Sequence, residues 1–199
     1  MASEPEDVER LRALEERLSA VEASAGEAKD TLEVQNLVAE CAYLIDAEAY
    51  DKRAALFTAD GVFELIPQET FPSEADWPET STQDVISIPA GDEEEEHLKK
   101  MRAANKRGLT HFPSMIHVTV DGDRAFAMQH IAVFERDPTW APLDVPPHGI
   151  VRGFRTLIVG VNHFECDRTA AGWKIKRRSL RLNTGADARR VLAEWAAGV

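Results

Sequence analysis

Cysteine is scarce: Cys41 and Cys166 are the only two in 199 residues, and they show no CxxC spacing. That argues against a disulfide framework and predicts reduced thiols, with a single buried disulfide left open. None is needed for stability, because a chain of this length buries about 70% of its unfolded surface on folding. Long apolar runs are also missing. None approaches the roughly 20 residues that span a bilayer, and the opening MASEPEDVER is acidic, unlike a signal peptide. The expectation is a cytoplasmic protein with no membrane partner. Positive charge is in deficit, with 23 Lys and Arg against 35 Asp and Glu and a net charge of −12. This balance argues against nucleic acid as a partner, which needs a basic face. There is no P-loop, GxGxxG, HExxH or GxSxG, so phosphate cradles and serine nucleophiles lack support. The six histidines, at 97, 111, 117, 130, 148 and 163, do not pair at spacings that mark a metal site.

What is present is an ordinary globular composition, 44% hydrophobic and 29% charged, with one domain as the default. Its charge is uneven. Residues 1–30 hold nine acidic and four basic side chains, whereas residues 168–199 hold eight basic and two acidic. These opposed ends are expected to meet between subunits. Val8, Leu11, Leu14, Leu18 and Val21 recur at helical steps on a charged segment. So narrow a stripe predicts a helical arm over 1–26 that packs on a partner or on its own domain. Ser24-Ala25-Gly26 reads as a break before a core helix over 27–50, followed by a short helical piece over 51–57. Ala59-Asp60-Gly61 is a turn signal, and Val62 to Ile66 reads as a strand. Residues 67–90 and 137–149 are proline-containing loops, and 92–106 is a helix that begins in the acidic run Asp92 to Glu96. Strands follow over 112–120 and 124–135, joined at Asp121-Gly122-Asp123, then over 151–166 and 173–182, before a closing helix over 187–197. The predicted class is α+β: helices on one face of a curved antiparallel sheet, forming a cone over 27–199 with an apolar pocket at one end.

Chemistry in such a cone rests on single polar residues at apolar places. Asp46, near the end of the core helix, is either a solvated terminal carboxylate or one facing the pocket. His111 opens a strand, as a loop histidine or as a functional one held at a loop entry. His130 alternates with Phe126, Met128, Ala132 and Phe134, which puts it on the apolar face of its strand, in the core or on the pocket wall. Asn162 shares parity with Ile158 and Phe164 and could orient a substrate oxygen. Arg181 is either an edge charge or an anion-binding group. Of the two tyrosines, Tyr50 alone shares a helical face with Asp46, four residues on.

These residues also carry a resemblance. Leu37, Tyr43-Leu44-Ile45-Asp46, Asp51 and Leu56-Phe57-Thr58-Ala59-Asp60-Gly61-Val62 are followed by Thr110-His111 ahead of the Asp-Gly-Asp hairpin, then by Gly172-Trp173-Lys174-Ile175. Over about residues 8–183 this pattern resembles the SnoaL-like branch of the nuclear-transport-factor-like superfamily. Its layout is most similar to the bile-acid 7α-dehydratases and more distantly to the scytalone dehydratases. The resemblance implies an α+β cone, a homo-oligomer (dimer or trimer), a pocket without a cofactor and an Asp–His acid–base pair. That pair falls on Asp46 and His111. The strand-end arginine falls on Arg181 with a one-residue gap, and a second histidine on His130. Two tyrosines of the bile-acid enzymes fall on Cys41 and Leu65, a departure that leaves Tyr43 or Tyr50 to substitute.

The expected function is a lyase or isomerase of dehydratase type on a hydrophobic, carbonyl-bearing, steroid- or polyketide-like molecule. Asp46 would orient His111, which would move the proton. The alternative is a ligand-binding or assembly protein of the same fold without chemistry, and a third reading is a small subunit supporting an oxygenase.

Overall fold

A single helix, α1, runs from Glu4 to Asp46 in the computed structural model of the chain. The structure describes residues 4–65, 86–89, 102–103, 106, 108–182, 192–193 and 196–197. The break expected at Ser24–Gly26 does not occur. A glycine costs a helix interior only about 1 kcal/mol relative to alanine, too little to interrupt the Ala, Glu and Lys residues around it. Side chains 7–29 are exposed, and burial begins in earnest at Val34. From there Val34, Leu37, Val38, Cys41 and Ile45 form the buried face.

α1 stops abruptly after Asp46. Ala49 N–H donates to the Leu44 carbonyl and Glu48 N–H to that of Ile45, with Glu48 at φ 55°. This is a Schellman ending with glutamate in the left-handed position that glycine usually fills, a strain on the order of 1 kcal/mol. A short helix, α2 (Tyr50–Ala54), follows the reversal.

The strands are β1 (Phe57–Leu65), β2 (Ile86–Pro89), β3 (Thr110–Pro113), β4 (His117–Asp121), β5 (Arg124–Arg136), β6 (Leu143–Val145), β7 (Gly149–Val151), β8 (Phe154–Thr169) and β9 (Gly172–Leu182). Seven form one curved sheet in the order β2-β1-β9-β8-β5-β3, with β4 also on β5, while β6 and β7 pair separately. The α+β cone is thus present, with one departure from antiparallel order: β1 runs parallel to β9. The expected strand over 112–120 is two strands, β3 and β4, both on β5. The loops expected over 67–90 and 137–149 contain β2, β6 and the start of β7. The helices expected over 92–106 and 187–197 lie largely outside the described residues, and Asp92 to Glu96 wholly so.

The sheet curls around the C-terminal half of α1. Ala125, Ala127, Phe164, Cys166, Trp173 and Ile175 pack against Val34, Leu37, Val38 and Cys41 in the main core. Cys41 and Cys166 are free thiols, and burial pushes that of Cys166 up to about 12. No helix among the described residues is long and apolar enough to cross a membrane.

The turn expected at Ala59-Asp60-Gly61 is instead an irregularity inside β1, where pairing with β9 jumps from Phe57↔Ile175 to Val62↔Arg177. Gly61 is needed there, because a Cβ would lie 2.9 Å from the Phe57 Cβ and 3.1 Å from the Ile175 carbonyl oxygen. Gly26 meets nothing within 4 Å. Two substitutions should therefore act in opposite directions. Gly61→Ala is expected to lower stability by about 1–3 kcal/mol, read as a lower urea midpoint. Gly26→Ala is expected to strengthen α1 by roughly 0.5–1 kcal/mol, read as more helical signal in circular dichroism.

Candidate active site

The end of α1 and the start of β3 meet through one carboxylate. Asp46 Oδ2 accepts from the His111 backbone N–H at 2.9 Å and from the Thr110 hydroxyl at 3.0 Å, and Oδ1 lies 2.6 Å from His111 Nδ1. A carboxylate only accepts, so the Nδ1 of a neutral His111 carries the proton and Nε2 holds the free lone pair. Among the described residues Nε2 has no hydrogen-bond partner. The His111 side chain is mostly buried, and that of Asp46 is one-quarter exposed.

Burial pushes Asp46 up, but the bonds from the His111 ring and backbone, the charge of that ring and the Thr110 hydroxyl outweigh it. The net effect holds the carboxyl below its ordinary value. A carboxylate depressed in the folded state stabilises the fold above its unfolded pKa and loses that contribution as pH falls through the lower folded value. The stability gap between the wild type and Asp46→Asn should therefore be full near neutrality and narrow as pH falls below about 4. Urea unfolding across an acid series measures it, and a gap that widened on acidification would contradict the assignment.

Strand parity decides what else shares this space. Side chains two apart lie on one face, so Ala125 and Ala127, which pack against α1, carry Gln129, Ile131 and Val133 with them. His111 pairs with Val133, and Gln129 pairs with Asn162. The concave face therefore holds the Asp46–His111 contact at one place. Four residues along β5, about 13 Å away, it holds a pair of amides, with Ile131 between.

Asn162 is fully buried. Its Oδ1 accepts from Arg178 Nε at 3.1 Å, which fixes the amide orientation because a guanidinium only donates. Asn162 Nδ2 and Gln129 Oε1 are both buried, with no hydrogen-bond partner among the described residues. Arg178 lies over the Phe63 ring at 4.5 Å, and Arg53 from α2 lies over the same ring at 5.3 Å. Such cation–π contacts fix both guanidinium planes at this end of the face.

Two of the expected pocket residues are elsewhere. His130 is exposed, on the face of β5 opposite Gln129 and Val133. Both faces of β5 read as apolar in sequence, and the one with larger side chains is the outer one. Arg181 shares that outer face, since it pairs with Val161, which pairs with His130. It donates to Glu64 Oε2 at 3.3 Å, making it neither an edge charge nor an open anion site. Burial pushes Glu64 up, but Ser179, Arg177 and Arg181 outweigh it and hold its carboxyl below the ordinary range.

Tyr50 does not share a helical face with Asp46, because α1 ends before it. Its hydroxyl is nevertheless buried, and Arg102 lies over its ring at 5.6 Å. Tyr43 is exposed. Sequence reasoning missed Gln129 and Arg178. A one-residue irregularity opposite Glu165 and Cys166 makes Ile175 and Arg178, three apart, share a face, which strict alternation does not anticipate. Among the described residues, no group of three or more His, Cys, Asp or Glu could hold a metal ion.

The SnoaL-like domain family matches residues 26–179. Among solved structures, an NTF2-like protein with a cystatin-like fold from Novosphingobium aromaticivorans is 23% identical, with 96% of this chain and 98% of that one covered at a TM-score of 0.59. A candidate scytalone dehydratase from the same bacterium is 16% identical over 80% of this chain and 88% of that one, at 0.52. A candidate dehydratase of the NTF2-like family from Streptomyces avermitilis is 17% identical over 78% and 97%, at 0.50. At these identities the likeness is one of fold. No curated protein matches the chain.

Proposed function

The chain belongs to the SnoaL-like domain family, and from that we propose that it is an acid–base enzyme, a dehydratase or isomerase acting on a hydrophobic, carbonyl-bearing small molecule. The observation that carries this reading is the 2.6 Å contact between Asp46 Oδ1 and His111 Nδ1. The carboxylate holds the imidazole in one tautomer and stabilises the cation that forms when Nε2 takes a proton, as in a catalytic triad. His111 Nε2 removes a proton from the carbon beside the substrate carbonyl, leaving an enolate. In a dehydration the enolate electrons form the new C=C as the β-hydroxyl departs with that proton, releasing water and restoring neutral His111. In an isomerisation the same proton returns to a different carbon. Candidate dehydratases among the similar folds agree in kind with this chemistry.

The amide pair supports a ligand of some length. Asn162 Nδ2 offers a donor and Gln129 Oε1 an acceptor about 13 Å along the strand from the dyad. Buried amide groups left unpaired are costly, and a substrate hydroxyl or carbonyl that reached them would satisfy them. Apolar Ile131 lies between the two poles. A fused polycyclic skeleton of steroid or polyketide type, oxygenated at both ends, matches that spacing better than a single ring. The cytoplasm, where Cys41 and Cys166 stay as thiols, is the proposed compartment.

The test is a panel of hydroxy-ketone steroids and polycyclic polyketide ketones incubated with the protein in D2O. Nuclear magnetic resonance reads loss of the α-proton signal, and mass spectrometry reads loss of water. His111→Ala and Asp46→Asn should each lower the rate by about 10²–10⁴-fold, with circular dichroism unchanged. Gln129→Ala with Asn162→Ala should raise KM for long substrates more than for short ones. Full exchange in His111→Ala would sink the dyad. Saturable binding with neither exchange nor water loss would favour the non-catalytic reading.

A further inference from the structure

The N-terminal half of α1 carries a second apolar stripe, separate from the one that packs on the sheet. Val8, Leu11, Leu14, Leu18, Val21 and Leu32 are between 50 and 65% exposed. Leu11, Leu18, Ala25 and Leu32 repeat at intervals of seven, and Leu14, Val21 and Ala28 repeat between them. This is the a/d pattern of a coiled coil, sustained over three heptads. Val8 flanks it at an e position.

Among the described residues, none of the chain's own domain covers this seam. Leu32 ends it, and Val34, fully buried, begins the core face two residues later. Two residues turn a helix by about 200°, so seam and core lie on opposite sides of α1. The seam is left open to a partner by the described residues of the domain.

Charge identifies the occupant. With Leu11 at a, Arg10 and Arg17 fall at g, and Glu15 and Glu22 at e. In a parallel pair each g residue faces the e residue five positions on in the other helix. Arg10 then meets Glu15 of the partner subunit, and Arg17 meets Glu22 of the partner subunit. An antiparallel pair brings g against g and e against e, setting arginine on arginine and glutamate on glutamate. We propose that a second copy of this chain pairs with α1 over residues 11–32 as a parallel, two-stranded coiled coil. Ala25 and Ala28 favour two strands, because small layers let two helices approach closely but leave an axial void among three. Gly26 falls at b, outside the seam, where it meets nothing.

Light scattering on the full-length protein tests this. The wild type should elute at twice the chain mass of 22.1 kDa, and Leu14→Glu with Leu18→Glu should elute at the single mass. Arg17→Glu should weaken the dimer about tenfold, a change of about 1.4 kcal/mol, and adding Glu22→Arg should restore it. That rescue belongs to a g-to-e contact and not to general loss of helix, so it holds even where the leucine variant folds poorly. Leu11→Cys should oxidise to a cross-linked dimer, because equivalent a positions meet only in the parallel arrangement. A wild-type monomer at micromolar concentration, a trimer, a dimer indifferent to the leucine changes, or failure of the charge rescue would each overturn the proposal.

Discussion

A carboxylate at the C-terminal end of a helix sits against the negative pole of the helix dipole, an arrangement that by itself is unfavourable. Asp46 holds that position because three donors converge on it from the start of β3: the Thr110 hydroxyl, the His111 backbone N–H and the His111 ring. The tie joins the two halves of the fold. α1 is fixed in angle over the sheet, and β3 is fixed at the sheet edge against β5. The Schellman ending turns the chain immediately after Asp46, so the carboxylate is the last helical residue and not an interior one. The same three bonds that anchor the helix end leave His111 Nε2 without a partner among the described residues, which is how a structural joint also becomes a candidate base.

The hairpin at Asp121-Gly122-Asp123 and the long final pair of strands were legible in sequence because their turn chemistry is local. Asp46 and His111 were legible through the motif each sits in. What failed was face assignment. On β5, Ala125, Ala127, Ile131 and Val133 face α1, while Phe126, Met128, Ala132 and Phe134 face away, so hydrophobicity alone cannot say which side is inside. The larger side chains suggested the wrong one and carried His130 with them. On β9 a single-residue irregularity reverses the alternation, hiding Arg178 and making Arg181 look available. Gln129, beside His130, was passed over for the same reason. Side-chain period is a property of unbroken pairing, and each such irregularity resets it.

Charge behaves differently from its distribution along the chain. The basic final strands are answered within the subunit: Arg168 pairs with Asp30 and Asp123, Lys176 with Asp60, and Arg177 with Glu64 and Glu165. Asp30 also accepts from the Trp173 indole at 3.2 Å, which locks the middle of α1 to the β8–β9 turn. Most of these acids come from the sheet, and among the described residues only the Arg168–Asp30 pair joins the basic end of the chain to the acidic one.

In the proposed dimer, assembly rests on α1 itself, and its two stripes fix the geometry. Because the seam and the core face are on opposite sides of one helix, pairing the seams turns both core faces outward. In the proposed dimer the two sheets lie at the C-terminal end of the stalk, each curled around the outer face of its own helix. Asp46 is fourteen residues beyond Leu32 on that same helix, about 21 Å at 1.5 Å per residue, so each dyad lies well past the end of the paired segment. The paired segment itself therefore contributes no residue to either site. Dimerisation through the stalk and chemistry in the cone are therefore separable, and a change in one need not alter the other.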